Sequence, residues 1–177
     1  MEKETLKNIF NFLEKNDNIK APFIWKLENN IPFSKEELNV KGNLSLYTSE
    51  ITSLPEGLKI EGGLALIDCP NLMYLPEGLE VGGSLNLHRT KINSLPEGLK
   101  VGGDLYLAYS KITSLSLPEG LEVGGNLHFG KIKITSLPKG LKVGGFLDFR
   151  GTQLQEYTDD ELEEMVKPGF IKGRIYR

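Results

Sequence analysis

From residue 42 onward, apolar residues recur in one fixed order. A block Gly-x-Leu-x-Leu, usually preceded by a second glycine, sets its first leucine at Leu44, Leu64, Leu85, Leu105, Leu127 and Leu147, at spacings of 20, 21, 20, 22 and 20 residues. The second apolar residue is Leu46, Leu66, Leu87, Leu107, Phe129 and Phe149. An Ile or Leu follows (Ile51, Leu72, Ile92, Ile112, Ile134, Leu154), then a Leu-Pro pair such as Leu95-Pro96, and each copy closes like Gly98-Leu99-Lys100-Val101. Self-similarity at this period predicts a solenoid, in which no single coil buries its own apolar face and stability comes from stacking on neighbours. Leu-x-Leu has period 2, so both leucines point to one side of a short strand. Parallel stacking of these strands predicts a sheet with about 4.8 Å between coils. Proline donates no ladder hydrogen bond, so Leu-Pro ends the strand side. The Leu-x-Val segment predicts a second, shorter strand on the opposite face. Gly57, Gly78, Gly98, Gly120 and Gly140 are expected in conformations costly to other residues. The paired glycines, Gly82-Gly83 and Gly102-Gly103 among them, are expected to serve the same end where the chain bends back.

Two coils are longer, by one residue near Cys69-Pro70-Asn71 and by a Ser-Leu pair around Leu115-Ser116. Both insertions follow the strand and should leave the sheet unbroken. Five positions after the first leucine stand Ser49, Thr90, Ser110 and Thr152, whose hydroxyls can bond backbone at the strand exit; Ile132 interrupts that column. At the N-terminus, Leu6, Ile9, Phe10 and Leu13 predict an amphipathic helix over 3–16. Ser34 with Glu37 predicts a second helix start, and Thr158 with Glu161 a third, stopped by Pro168-Gly169. The chain is thus divided into a helical N-terminal cap (1–40), the repeats (41–157, five full coils and a partial sixth) and a C-terminal cap (158–177), all one folded domain. The tail Phe170–Arg177 is expected to seal the last coil.

The pattern Leu-x-Leu-x-x-(Thr/Ser)-x-Ile-x-x-Leu-Pro-x-Gly-Leu resembles the short, roughly 20-residue leucine-rich repeats of bacterial and phage proteins. It is similar to the repeat domains of secreted ubiquitin-ligase effectors, over residues 41–157. Thr or Ser replaces the family's Asn at the strand exit, and the glycine pairs are a further departure. The ligase domain with its cysteine nucleophile has no counterpart here; Cys69 lies inside a repeat and does not inherit that role. The resemblance implies an α/β solenoid: a right-handed superhelix with a parallel concave sheet and short strands or irregular segments on the outer face. It further implies a non-enzymatic scaffold that binds a protein through the concave sheet, as an effector or phage-encoded modulator of a host protein. The competing expectation is an assembly component that associates through its ends or outer face.

Composition narrows the function classes. Apolar residues make 39% of the chain and charged residues 25%, as in folded soluble proteins, and the net charge is −3. A mildly acidic chain is not expected to bind nucleic acid. No apolar run approaches a membrane span, and no secretory signal stands at Met1–Thr5, so a cytoplasmic site of synthesis is expected, with delivery into a host cell left open. One cysteine allows no internal disulfide. The outward positions of the strands vary while the core positions repeat: Ser45, Ala65, Asn86, Tyr106, His128 and Asp148 between the leucines, and Tyr47, Ile67, His88, Ala108, Gly130 and Arg150 beyond them. One step further stand Thr48, Asp68, Arg89, Tyr109, Lys131 and Gly151. Tyr and Arg often carry binding energy, so Asn86, His88, Arg89, Tyr106, Tyr109, His128, Asp148 and Arg150 are the candidate contacts with a protein partner. His128 beside Asp148 could form a base with its orienter, but no nucleophile occupies the neighbouring position of that column. His88 and His128 stand two coils apart, about 10 Å, too far to share a metal without further ligands. No catalytic residue, metal or cofactor is therefore assigned, and a monomer is expected.

Overall fold

A computed structural model describes residues 3–16, 22–110 and 117–177. Ile112 and the Leu115-Ser116 insertion lie outside the described residues, as does the side chain of Leu13. The chain divides into two compact units, residues 1–37 and 38–177.

In the first unit, α1 spans Lys3–Asn16, as its periodicity predicts. Phe10 packs on Trp25 with ring centroids 4.5 Å apart. A second helix, α2 (Phe23–Glu28), was not expected from the sequence. It begins directly after Pro22, whose missing N–H costs nothing at a helix start. The side-chain amide of Asn29 donates to the Trp25 carbonyl at its end (2.8 Å). The buried Lys26 ammonium lies 2.8 Å from Glu37. The predicted helix at Ser34 is corrected. Both bonds of the capping box form, Ser34 N–H to Glu37 Oε2 (2.8 Å) and Glu37 N–H to Ser34 Oγ (3.3 Å), yet residues 35–38 make only a turn. The next residues, Asn39–Val40, already pair as a strand, and a single turn cannot offset the cost of helix nucleation.

The second unit is a parallel β-solenoid. Two strands of two residues come from each coil. The leucine sheet contains β2 (Leu44–Ser45), β4 (Leu64–Ala65), β6 (Leu85–Asn86), β8 (Leu105–Tyr106), β10 (Leu127–His128), β12 (Leu147–Asp148) and β14 (Ile175–Tyr176). The second sheet contains β1 (Asn39–Val40), β3 (Lys59–Ile60), β5 (Glu80–Val81), β7 (Lys100–Val101), β9 (Glu122–Val123), β11 (Lys142–Val143) and β13 (Phe170–Ile171). Register runs leucine on leucine from β2 to β12, with Ile175 of β14 on Leu147, and Ile or Val on Val through the second sheet. Both insertions leave it unbroken: Leu64 pairs Leu85 and Leu105 pairs Leu127. The repeating aliphatic residues fill the space between the sheets; Leu85, Leu87, Ile92, Leu105, Leu107 and Phe129 are wholly buried.

The glycines divide into two kinds. Gly57, Gly78, Gly98, Gly120 and Gly140 have φ between 70° and 76°, as expected. The paired glycines do not, and that expectation is corrected. They are required by close approach: a Cβ on Gly102 would overlap the Gly82 carbonyl, with its carbon only 2.9 Å away, and Gly124 and Gly144 meet the coil before them in the same way. The pairs let successive coils stack backbone on backbone, joined by Gly102 N–H to Val81 O (2.8 Å) and Gly103 N–H to Gly83 O (2.9 Å).

The hydroxyl column forms in part. Thr90 and Thr152 donate to Leu87 O (2.9 Å) and Phe149 O (2.8 Å), while the buried hydroxyls of Ser49 and Ser110 find no hydrogen-bond partner among the described residues. Cys69 occupies the same position in its coil, fully buried, its Sγ 2.8 Å from Leu46 O. At the C-terminus, α3 (Asp159–Val166) carries the predicted capping box at Thr158 and Glu161. The tail then adds a strand to each sheet, β13 on β11 and β14 on β12.

Candidate functional site

The outward face of the leucine sheet is built by three columns of side chains, one residue before the strand leucine, one after it, and one two residues further on. The first column was not singled out from the sequence, and it holds the coils together. Asn43 Oδ1 accepts from Gly63 N–H (2.7 Å), Ser84 Oγ from Asp104 N–H (3.0 Å), Asp104 Oδ1 from Asn126 N–H (2.7 Å) and Asn126 Oδ1 from Phe146 N–H (2.9 Å). Each short polar side chain thus satisfies a backbone donor of the next coil that would otherwise lack a partner. The signal was the run of Asn, Ser, Asp and Asn at one repeat position, a composition suited to side chain–backbone bonding.

The middle column carries the rings of Tyr106, His128 and Tyr176, joined by Phe146 of the first column. Tyr106 stacks on His128 with centroids 4.6 Å apart and planes 13° apart. His128 meets the edge of Phe146 at 5.0 Å, and Phe146 meets Tyr176 at 5.1 Å. Phe146 and Tyr176 extend the candidate set. Phe146 sits two residues before Asp148, so period-2 reasoning places it on the same face. The Tyr106 hydroxyl donates to Asp104 Oδ2 (2.8 Å). This bond, with desolvation, raises the Tyr106 pKa. Burial pushes the Asp104 pKa up, but the Asn126 N–H, the Tyr106 hydroxyl and the charge of His128 outweigh it and hold the carboxyl below its usual value.

His128 Nδ1 lies 3.8 Å from Asp148 Oδ2, beyond hydrogen-bond distance. Arg150 takes Asp148 instead, with Nε to Oδ1 at 3.0 Å, Nη2 to Oδ2 at 2.7 Å, and its backbone N–H to Oδ1 at 3.1 Å. The Arg150 fork is the main cause holding Asp148 below its ordinary pKa. Tyr106, His128, Asp148 and Arg150 therefore form one connected group.

His88, Arg89 and Tyr109 form a second group at the strand exit. The Tyr109 ring lies 5.3 Å from His88, and the Lys131 ammonium stands 5.3 Å from its centroid. Arg89 comes within 3.7 Å of Asp68. Asn86 Oδ1 accepts from His88 N–H (3.0 Å) and so braces the turn. Thr48, Asp68, Arg89, Tyr109 and Lys131 all have φ between 50° and 59°. This is the third residue of the exit turn, closed in three coils by Thr90 N–H to Leu87 O, Ser110 N–H to Leu107 O and Thr152 N–H to Phe149 O, where glycine is favoured. Only the last coil uses glycine there, Gly151.

The second sheet presents a different surface. Its outward column reads Lys59, Glu80, Lys100, Glu122, Lys142, in register from coil to coil. Lys59 bonds Glu80 at 2.6 Å and Lys142 bonds Glu122 at 2.7 Å. Lys142, then Lys100, lower the Glu122 pKa. Two shallow grooves of about 360 and 430 Å³ run along this column beside Gly82, Gly102 and Gly124. Two ion pairs of the column, Lys59–Glu80 and Lys142–Glu122, line them. Among the described residues, no helix is long and apolar enough to cross a membrane. Comparison with protein-family models, with curated proteins and with solved structures returned no match.

Proposed function

We propose that the protein is a non-enzymatic scaffold of the short leucine-rich-repeat kind, which binds a protein partner through the outward face of the leucine sheet. The carrying observation is the contrast between the two sheets. The second sheet repeats Lys and Glu in strict alternation, so that each charge stands beside opposite ones, whereas the leucine sheet varies its outward residues and concentrates Tyr, His and Arg there. Aromatic and Arg side chains held on a rigid sheet suit the anchoring residues of an interface. Exposed Tyr109, Tyr47 and Tyr176 supply the apolar contact area (51%, 57% and 39% exposed). In this reading the right-handed superhelix makes the face concave, and 158–177 close the C-terminal end of the repeats.

The engagement of Asp148 by Arg150 favours binding over catalysis, because the carboxylate's hydrogen bonds go to Arg150 while His128 Nδ1 stays 3.8 Å from it. Under this proposal the partner is a protein, neither a nucleic acid nor a membrane, and the scaffold needs no metal or cofactor. It acts as a monomer in a cytoplasm, that of its own cell or of a host into which it is delivered. Light scattering after size exclusion tests it against assembly through the ends or outer face: a monomer at micromolar concentration is expected, and a concentration-dependent oligomer favours assembly.

A further inference from the structure

At the exits of β6 and β10 the charge logic of the second sheet is reversed. Residues 88–94 and 130–136 hold Arg89, Lys91, Lys131 and Lys133 and no carboxylate, in a chain whose net charge is −3. Arg89, Tyr109 and Lys131 occupy one repeat position on three successive coils, about 4.8 Å apart. Lys91 and Lys133 share the position two residues on. All five side chains are exposed. Among the described residues, only Asp68 approaches this strip, 3.7 Å from Arg89, and neither Lys91 nor Lys133 has a carboxylate partner. Stacked like charges repel one another, and the second sheet shows that this chain can alternate signs where neutrality serves. Glycine would relax the left-handed turn at Arg89, Tyr109 and Lys131, as at Gly151, yet cations and an aromatic ring stand there. Lys131 and His88 both contact that ring, which fixes the strip's centre.

We propose that this strip binds an extended acidic segment of a partner protein, laid along the stacking direction of the coils. The proposal rests on the leucine-sheet face being the binding face. Two coils advance about 9.6 Å, and one three-residue turn of a segment in the extended polyproline II conformation about 9.3 Å, so carboxylates at every third position lie on one face and come into step with Arg89 and Lys131 and with Lys91 and Lys133. A polypeptide is favoured over a nucleic acid because four cations on an acidic protein do not supply the field that a polyphosphate needs.

The test is fluorescence anisotropy with a labelled peptide carrying glutamate at every third position among Ser and Gly. A lysine counterpart and a single-stranded oligodeoxynucleotide serve as comparisons. The native chain should bind the glutamate peptide and ignore the lysine one. Affinity should fall at least about tenfold between low salt and about 0.3 M, because exposed charges are screened. The triple variant Lys91→Glu, Lys131→Glu, Lys133→Glu should lose at least about tenfold, its Gln counterpart less, and Lys100→Glu on the second sheet nothing; unchanged melting curves establish that each folds. No binding by the native chain, equal binding by the triple variant, or tighter binding of the oligodeoxynucleotide overturns the proposal. If the peptide fails while Tyr106→Ala with Tyr109→Ala still abolishes partner capture, the acidic partner is wrong and the face stands. If that pair leaves capture intact, the face itself is wrong.

Discussion

Gly102→Ala separates the two roles glycine plays in this solenoid. The new methyl would sit 2.9 Å from the Gly82 carbonyl carbon and closer to its oxygen. Carbon atoms in contact prefer about 3.5–4.0 Å, so the coils must part by roughly 0.6 Å or more. Two bonds bracket that point, Gly102 N–H to Val81 O (2.8 Å) and Gly103 N–H to Gly83 O (2.9 Å), and both stretch as the coils part. Each is worth about 0.5–1.5 kcal/mol net, and forcing atoms into a packed region costs about 1–3 kcal/mol more. The sum is about 2–6 kcal/mol. Gly98→Ala is the control. Its Cβ would meet nothing within 4 Å, and only φ of 70° opposes it. The left-handed conformation costs about 1–2 kcal/mol, offset in part by the smaller entropy of the unfolded alanine chain, leaving about 1 kcal/mol. Thermal and urea unfolding followed by circular dichroism should therefore rank Gly102→Ala well below Gly98→Ala, by several degrees in Tm. Equal destabilisation, or the reverse order, would refute close stacking as the reason for the glycine pairs.

Two further outcomes follow from the face. Lys131→Gly should raise stability by up to about 1 kcal/mol in urea unfolding, because it removes left-handed strain at an exposed side chain. A loss of stability there would show that the Lys131–Tyr109 contact outweighs the strain. Asp148 has a depressed pKa in the folded state, so its contribution to stability is present above the unfolded value near 3.9 and is lost as pH falls from there through the lowered folded value. Carboxyl NMR titration should find the Asp148 midpoint low in the native chain and shifted upward in Arg150→Gln; an unchanged midpoint would remove Arg150 as its main cause.

Much of the fold was legible because each coil repeats the same physical demands. Period-2 leucines, Leu-Pro steps and the single glycines at positive φ appear where the spacing puts them, and the Leu-x-Val segments form the second sheet. What was missed has local causes. The tail pairs as a further strand in each sheet, but Ile175 lies 28 residues after Leu147 and Lys172 stands where the first glycine of a pair would be, so the repeat no longer looked like itself. Cys69 belongs to the hydroxyl column by position, and its identity hid it. The glycine pairs were read as conformational because contact between coils separated by about 20 residues is invisible in one coil. The variable residues of the face could be named from the sequence, yet their partners could not. Whether Asp148 serves His128 or Arg150 depends on side-chain geometry, which the repeat does not encode.

The central claim is that the leucine sheet, and not the second sheet, carries the binding face. Paired affinity capture from the native cellular background tests it most directly, using Tyr106→Ala with Tyr109→Ala for one face and Lys100→Ala with Glu122→Ala for the other. All variants must melt like the native chain. A protein captured by the native chain should be lost with the tyrosine pair and kept with the Lys–Glu pair. Retention by the tyrosine pair with loss by the Lys–Glu pair would contradict it.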